Sequence, residues 1–232
     1  MNLDPQWKFE PTDVIADNWD LVTRLAERCH GIAETILLKM CTAFNPAEAK
    51  AMIDFHDPAA ITNSLLGFNK IPHAPPEEQN IGHGAHTDIG SLTVLFAPTP
   101  GLQVMDPELG DWVDMPPRPW HAVINVGDSL KYMSRGKFRS ALHRVVPAPE
   151  IIAAKDDRYS LVYFFRPSRT MTFRDGDGNE LTSSQWHRKK TEAFRLDHHE
   201  QKMTTVITGT KGDSGTWGQA TQAPGQPLTS HA

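Results

Sequence analysis

The stretch Gly84-Ala85-His86-Thr87-Asp88-Ile89-Gly90-Ser91-Leu92-Thr93-Val94-Leu95-Phe96 decides the reading of this chain. It ends in an apolar, β-branched run that predicts a strand. Alternate residues of a strand share a face, so His86 and Asp88 are expected to project an imidazole and a carboxylate to the same side. Two such groups are two-thirds of a two-histidine, one-carboxylate site with open positions, the arrangement suited to non-haem Fe(II) and O2 chemistry. The rest of the chain must supply a third ligand and a reason for the open positions.

The third ligand is expected late in a β-rich region. Short apolar runs recur at Leu65–Asn69, Leu92–Phe96, Leu102–Met105, Trp112–Val113, Ala122–Val126, Ser140–Val146 and Ser160–Phe165. Gly, Pro and Asp clusters separate them, as in Pro98-Thr99-Pro100-Gly101 and Asp106-Pro107-Glu108-Leu109-Gly110. Many short strands at this spacing predict a β-sandwich or a jelly-roll barrel and argue against a parallel α/β sheet. Such a fold returns late strands beside early ones, which brings His143, within Ser140-Ala141-Leu142-His143-Arg144-Val145, towards His86 and Asp88. A lone strand histidine is more often structural; the two waiting partners reverse that weighting.

Other histidines fit less well. His83 precedes the strand and reads as a turn or supporting residue. His121 follows Trp120 in a proline-rich turn. In His198-His199-Glu200 neighbouring helical side chains diverge by about 100°, so the pair cannot close on one ion; that run reads as a solvated helix end.

Further on, Arg158 and Ser160 again stand two apart in a strand, so both are expected on one face. A buried guanidinium requires an anion, and its planar fork matches a carboxylate. Either a core Asp or Glu or the carboxylate of a ligand would serve.

Around this β region the chain is helical. Residues 1–17 are polar and broken by Pro5 and Pro11. From Asn18 to Cys41 apolar residues recur at three- and four-residue steps, which predicts an amphipathic helix capped by Asp17 or Asn18 and packed on a sheet. Asn45-Pro46 ends it or begins a short helix through Phe55. The segment 149–156 reads as a surface loop. A last helix is expected from about Ser183 to His199 with Thr182 or Ser183 as its cap. Thr210 to Ala232 has the composition of a disordered tail.

The totals set bounds. At 232 residues, 39% hydrophobic and 22% charged, the chain suits one globular domain with appendages. A net charge of -5 gives no reason to expect nucleic acid, and no apolar run reaches the ~18 residues of a membrane span. The start of the chain lacks the apolar core of a secretory signal. Cys29 and Cys41, 12 positions apart on the expected helix, stand roughly 18 Å from one another. A disulfide tolerates about 7 Å between Cα atoms. Both read as buried thiols of an intracellular protein, with the cytoplasm as the expected location.

Taken together, the chain resembles the 2-oxoglutarate- and Fe(II)-dependent dioxygenases of the isopenicillin-N-synthase-like group from about Leu65 to Gly209. The markers are His86-Thr87-Asp88, Gly101-Leu102-Gln103-Val104, Trp112-Val113, Asn125-Val126-Gly127-Asp128, Ser140-Ala141-Leu142-His143-Arg144-Val145 and Arg158-Tyr159-Ser160, in the family's order. The Trp186-His187-Arg188-Lys189-Lys190 run is similar to members common in fungal secondary metabolism. The resemblance implies a mainly β protein with flanking helices: a double-stranded β-helix (jelly-roll) core, a long N-terminal helix and a C-terminal helix. It implies a core over 61–170, an N-terminal helical segment over 1–60 as the remnant of a longer region, a C-terminal turn and helix over 171–209 and a tail over 210–232.

It further implies that His86, Asp88 and His143 hold Fe(II), that Arg158 and Ser160 bind the distal carboxylate of 2-oxoglutarate, and that Asn69 assists. O2 is then used to hydroxylate or desaturate a small organic substrate, with release of succinate and CO2. The family often carries Asn-Tyr-Tyr-Pro before the first ligand; here Asn69-Lys70-Ile71-Pro72 keeps the asparagine and lacks the tyrosine hydroxyl. The family's further N-terminal segment is also expected to be missing, as in a truncated gene product, a fragment, or a minimal version whose pocket a homo-oligomer or another partner completes. The alternatives are an oxidase of the same fold that uses no 2-oxoglutarate, or a truncated, non-catalytic binding protein.

Overall fold

The computed structural model describes residues 11–73, 84–146, 148–196, 200–201 and 204–208. His83, the pair His198-His199 and the segment 210–232 lie outside the described residues, as do residues 1–10.

Three helices come first: α1 (Asp13–Asp17), α2 (Trp19–Cys41) and α3 (Pro46–Asp54). α1 is a correction, since residues 11–17 read as irregular; one helical turn forms directly after Pro11-Thr12. α2 occupies the periodic stretch. It buries Ala26, Cys29, Ala33, Leu37 and Cys41, a narrow stripe of mostly small side chains that lets the helix sit close to the sheet. Its apolar face is narrower than its periodicity suggests, because Trp19 and Ile32 remain exposed. Asn18 stands at the N-cap but makes no capping bond; its side-chain amide donates back to the Val14 carbonyl of α1 instead. Both cysteines are buried free thiols, and burial raises their pKa. α3 starts at Pro46, and the Asn45 carboxamide oxygen accepts from the amides of Ala47 and Glu48.

The β region follows as β1 (Leu65–Ile71), β2 (Leu92–Phe96), β3 (Leu102–Asp106), β4 (Asp111–Asp114) and β5 (Val123–Val126). After these come α4 (Asp128–Met133), β6 (His143–Val145), α5 (Pro149–Ala154) and β7 (Arg158–Phe165). β8 (Thr172–Arg174), β9 (Glu180–Thr182) and α6 (Ser183–Ala193) complete the described elements. α5 replaces the expected surface loop before Arg158; six residues are too short to show a period. α6 begins with a capping box between Thr182 and Gln185 and ends at Ala193, short of the expected His199.

The strands form a four-stranded antiparallel sheet in the order β1-β7-β2-β5, a three-stranded sheet in the order β4-β3-β6, and the β8-β9 hairpin. On its outer face the larger sheet packs against α2 through Val94, Tyr163 and Phe165. Its inner face and the smaller sheet line one cleft between them. Strand alternation sorts β7 cleanly: Arg158, Ser160, Val162 and Phe164 face the cleft, whereas Tyr163 and Phe165 enter the core beneath α2. Among the described residues, no helix is long and apolar enough to cross a membrane.

Candidate metal centre

His86 and Asp88 do not lie on the ladder strand, which starts only at Leu92. This corrects the expectation of one continuous strand. The segment is held in extended form by a two-bond bridge: the His86 amide donates to the His143 carbonyl and the His143 amide to the His86 carbonyl, each at 2.9 Å. That bridge replaces the ladder and sets the first and third expected ligands side by side, with imidazole centroids 4.3 Å apart. The alternation survives: His86 and Asp88 face the cleft, while Thr87 points back to Lys190.

Close packing behind Asp88 explains part of the Asn125-Val126-Gly127-Asp128 run. A Cβ on Gly127 would run into the carbonyl oxygens of Gly90 and Asp88. Without one, the chain comes near enough for the Asp128 amide to donate to the Asp88 carbonyl at 2.8 Å.

His86, Asp88 and His143 each offer one ligand atom, and these atoms lie within 4.8 Å of one another. Asp88 Oδ1 stands 3.9 Å from His86 Nε2 and 4.0 Å from His143 Nε2. The remaining polar atoms are already engaged. His86 Nδ1–H donates to the Gly84 carbonyl at 2.8 Å and His143 Nδ1–H to the Ala141 carbonyl at 3.0 Å. Because a carbonyl only accepts, both rings are fixed in the tautomer that puts the Nε2 lone pair on the cleft side. Asp88 Oδ2 accepts from Thr93 Oγ1 and Asn125 Nδ2, both at 2.7 Å, which turns Oδ1 to the same point. Burial alone would push the Asp88 carboxyl upward. The positive charge of the His143 and His86 rings when protonated, with the bonds from Asn125 and Thr93, outweighs it and holds the group at about 2. An ionised carboxylate and two imidazoles with defined lone pairs are the donor set of a divalent transition metal.

The cleft continues from this triad to the other end of β7. It is partly open to solvent, and its walls include Leu95, Val104, Val123, Val162 and Phe164. Arg158 and Ser160 line it together, and Asn69 faces Ser160 across the β1–β7 ladder. Arg158 is buried; its Nε donates to the Pro100 carbonyl at 3.1 Å, while its Nη2 has no partner. Among the described residues no carboxylate pairs with it, and burial pushes the guanidinium down from its ordinary value. A buried, half-satisfied arginine facing a cleft fits an incoming carboxylate. Asn69 lines the cleft from an exposed position on the edge strand. His121 stays exposed in its turn, its ring bonded to the Pro119 carbonyl.

Sequence reasoning missed Thr93 as a partner of Asp88 and gave Asn125 no task. The signal for Asn125 was its place in a marker run; Thr93 carried none, being a common strand residue.

One aspartate and two histidines able to hold a metal share their cleft with a buried guanidinium, and comparison with known proteins gives the chain its class. The sequence pattern of the 2OG-Fe(II) oxygenase superfamily matches residues 62–167. The 2-oxoglutarate-dependent dioxygenase iboH of Amanita muscaria is 37% identical over 84% of this chain and 95% of its own length. The 2-oxoglutarate-dependent dioxygenase FG08081 of Gibberella zeae is 37% identical over 89% of this chain and 61% of its own. The oxidoreductase vrtI of Penicillium aethiopicum is 36% identical over 84% and 47%. The chain therefore spans roughly half to three-fifths of two of these relatives and nearly all of the third.

Two solved structures share the fold. A full-length Neurospora crassa protein in complex with alpha-KG and 5-formyluracil matches with a TM-score of 0.60 at 24% identity, over 78% of this chain and 62% of its own. JOX2 in complex with 2OG, Fe and JA matches with a TM-score of 0.61 at 20% identity, over 73% and 51%. The chain belongs to the 2OG-Fe(II) oxygenase superfamily, whose cofactors are Fe(II) and 2-oxoglutarate.

Proposed function

We propose that this chain is an Fe(II)- and 2-oxoglutarate-dependent oxygenase that hydroxylates or desaturates a small organic molecule, of the kind made in secondary metabolism, with release of succinate and CO2. The observation that carries this reading is the cleft itself. Three convergent metal donors stand at one end and an unpaired buried Arg158 Nη2 at the other. One dicarboxylate can satisfy both.

In this reading His86, Asp88 and His143 hold the metal, Arg158 and Ser160 take the distal carboxylate, and Asn69 borders the same space. Bound iron and co-substrate supply O2 activation coupled to oxidative decarboxylation. The protein's own work is positional. Gly84 and Ala141 keep the Nδ1 protons of the two ligand imidazoles, and Thr93 and Asn125 fix the carboxylate. The apolar walls limit the water around the reacting atoms. The two sheets that enclose the site are read as a jelly-roll core over residues 61–170, with helical segments on either side. Its location is read as cytoplasmic, with a second copy or another partner completing the open side.

The test is an anaerobic absorption spectrum with Fe(II) and 2-oxoglutarate. A metal-to-ligand charge-transfer band supports the reading. Its absence in the wild-type chain sinks it. Succinate release under O2 then separates the oxygenase from an oxidase of the same fold and from a non-catalytic binding protein.

A further inference from the structure

Lys190 sits on α6, outside the stretch matched by the superfamily, and its side chain is fully buried. Its ammonium donates to the Thr87 hydroxyl at 2.7 Å and to the Asp128 carboxylate, and lies 5.8 Å from the centre of the Trp186 ring. Thr87 is the residue between two of the proposed metal ligands. Asp128 donates its amide to the carbonyl of Asp88. Lys190 therefore reaches the main chain of the His86-Thr87-Asp88 triplet by two routes, one through the Thr87 side chain and one through Asp128. The Thr87 amide is held as well, donating to the Ile207 carbonyl at 3.0 Å.

A buried ion pair is a poor way to gain stability, since well-packed apolar side chains of similar volume often serve as well or better. What it supplies is direction. Here the direction is given to the hidden face of a triplet whose other face is the metal site.

We propose that Lys190 is a positioning residue for the metal centre: with Asp128 it clamps Thr87 from behind, so that the backbone carrying His86 and Asp88 presents its donors at a fixed separation. The inference rests on the reading of His86, Asp88 and His143 as metal ligands. Without the clamp the extended segment keeps its bridge to His143 and the main-chain bonds from Thr87 to Ile207 and from Asp128 to Asp88, but loses the side-chain fixing behind Thr87. A metal then meets donors that must be gathered before they can bind, which costs affinity and alters coordination geometry.

The test is anaerobic titration of the full chain with Co(II), reading both the dissociation constant and the d–d absorption. Lys190→Met alone strands a buried carboxylate, so the informative variants are Lys190→Met/Asp128→Asn, which removes both charges, and Thr87→Val, which keeps the pair and deletes its acceptor. Leu37→Ala, in the core beneath α2, gives a destabilised control away from the site. The clamp predicts Co(II) binding weakened by about tenfold or more in both informative variants, in the range seen for lost outer-sphere partners. Their d–d spectra change, while Leu37→Ala lowers Tm and leaves affinity and spectrum as in wild type. Folded variants that keep both wild-type readouts overturn the inference. If the double variant fails to fold, Thr87→Val decides alone. A wild-type chain that binds no Co(II) overturns the triad reading, and the inference with it.

Discussion

The two ends of the cleft are built differently. At the metal end, both imidazole Nδ1–H groups and Asp88 Oδ2 already have protein partners, and only the donor atoms face the cleft. At the other end, Arg158 has one bond to a backbone carbonyl and an unpaired Nη2, and Asn69 lies on the exposed edge strand β1. The first end is organised by the protein alone; in the proposed function a ligand completes the second. A divalent ion needs donors fixed in advance, because its geometry is set by its ligands. A carboxylate brings its own planar shape and needs only a matching fork.

The largest effect is expected from His143→Ala. It removes a donor and the orienting contact to its neighbour, so metal affinity measured by anaerobic titration should fall by more than the ~10–100-fold typical of outer-sphere losses. Retained affinity would mean that His143 is structural and that the two ends differ for another reason. Next comes Arg158→Ala, expected to weaken 2-oxoglutarate binding by roughly 2–5 kcal/mol, the cost of stranding one partner of a buried charge pair. Metal binding without 2-oxoglutarate should be unchanged. An Arg158→Ala chain that also loses metal would show that the ends are not separable.

Asn125→Ala sharpens the contrast from the other side. It deletes one of two bonds that turn Asp88, and metal affinity should drop by about 10–100-fold, with the selectivity between 2-oxoglutarate and shorter oxo acids retained. The smallest effect is a control on the scaffold. Thr182→Ala removes the N-cap of α6 and should cost about 1 kcal/mol in a denaturation experiment. A change in metal affinity there would tie α6 to the site through its start as well as through Lys190.

Much of this was legible in the sequence because the relevant signals are short in range. Strand alternation placed His86 with Asp88 and Arg158 with Ser160, and the recurrence of apolar runs gave the β region its strands. What could not be read depends on contacts distant in sequence. His86 and Asp88 stand ahead of β2, in a segment bridged through His143 to β6 of the smaller sheet. Thr93 looks like any strand threonine until Asp88 folds back onto it. Lys190 belongs to a polar helix, and only tertiary packing removes its water. The short helices α1, α4 and α5 carry too few residues for a period to show. Asn18 had the right identity for a cap, but α1 offered its side chain a nearer acceptor in Val14.

The central claim is that one small dicarboxylate spans both ends of the cleft. Calorimetric titration of the Fe(II)-loaded, anaerobic chain with 2-oxoglutarate and with 2-oxobutyrate, which keeps the oxo acid but lacks the distal carboxylate, tests it most directly. The account predicts a strong preference for 2-oxoglutarate in the wild-type chain and near-equal binding of the two in Arg158→Ala. Equal binding by the wild type, or an undiminished preference in Arg158→Ala, would contradict it.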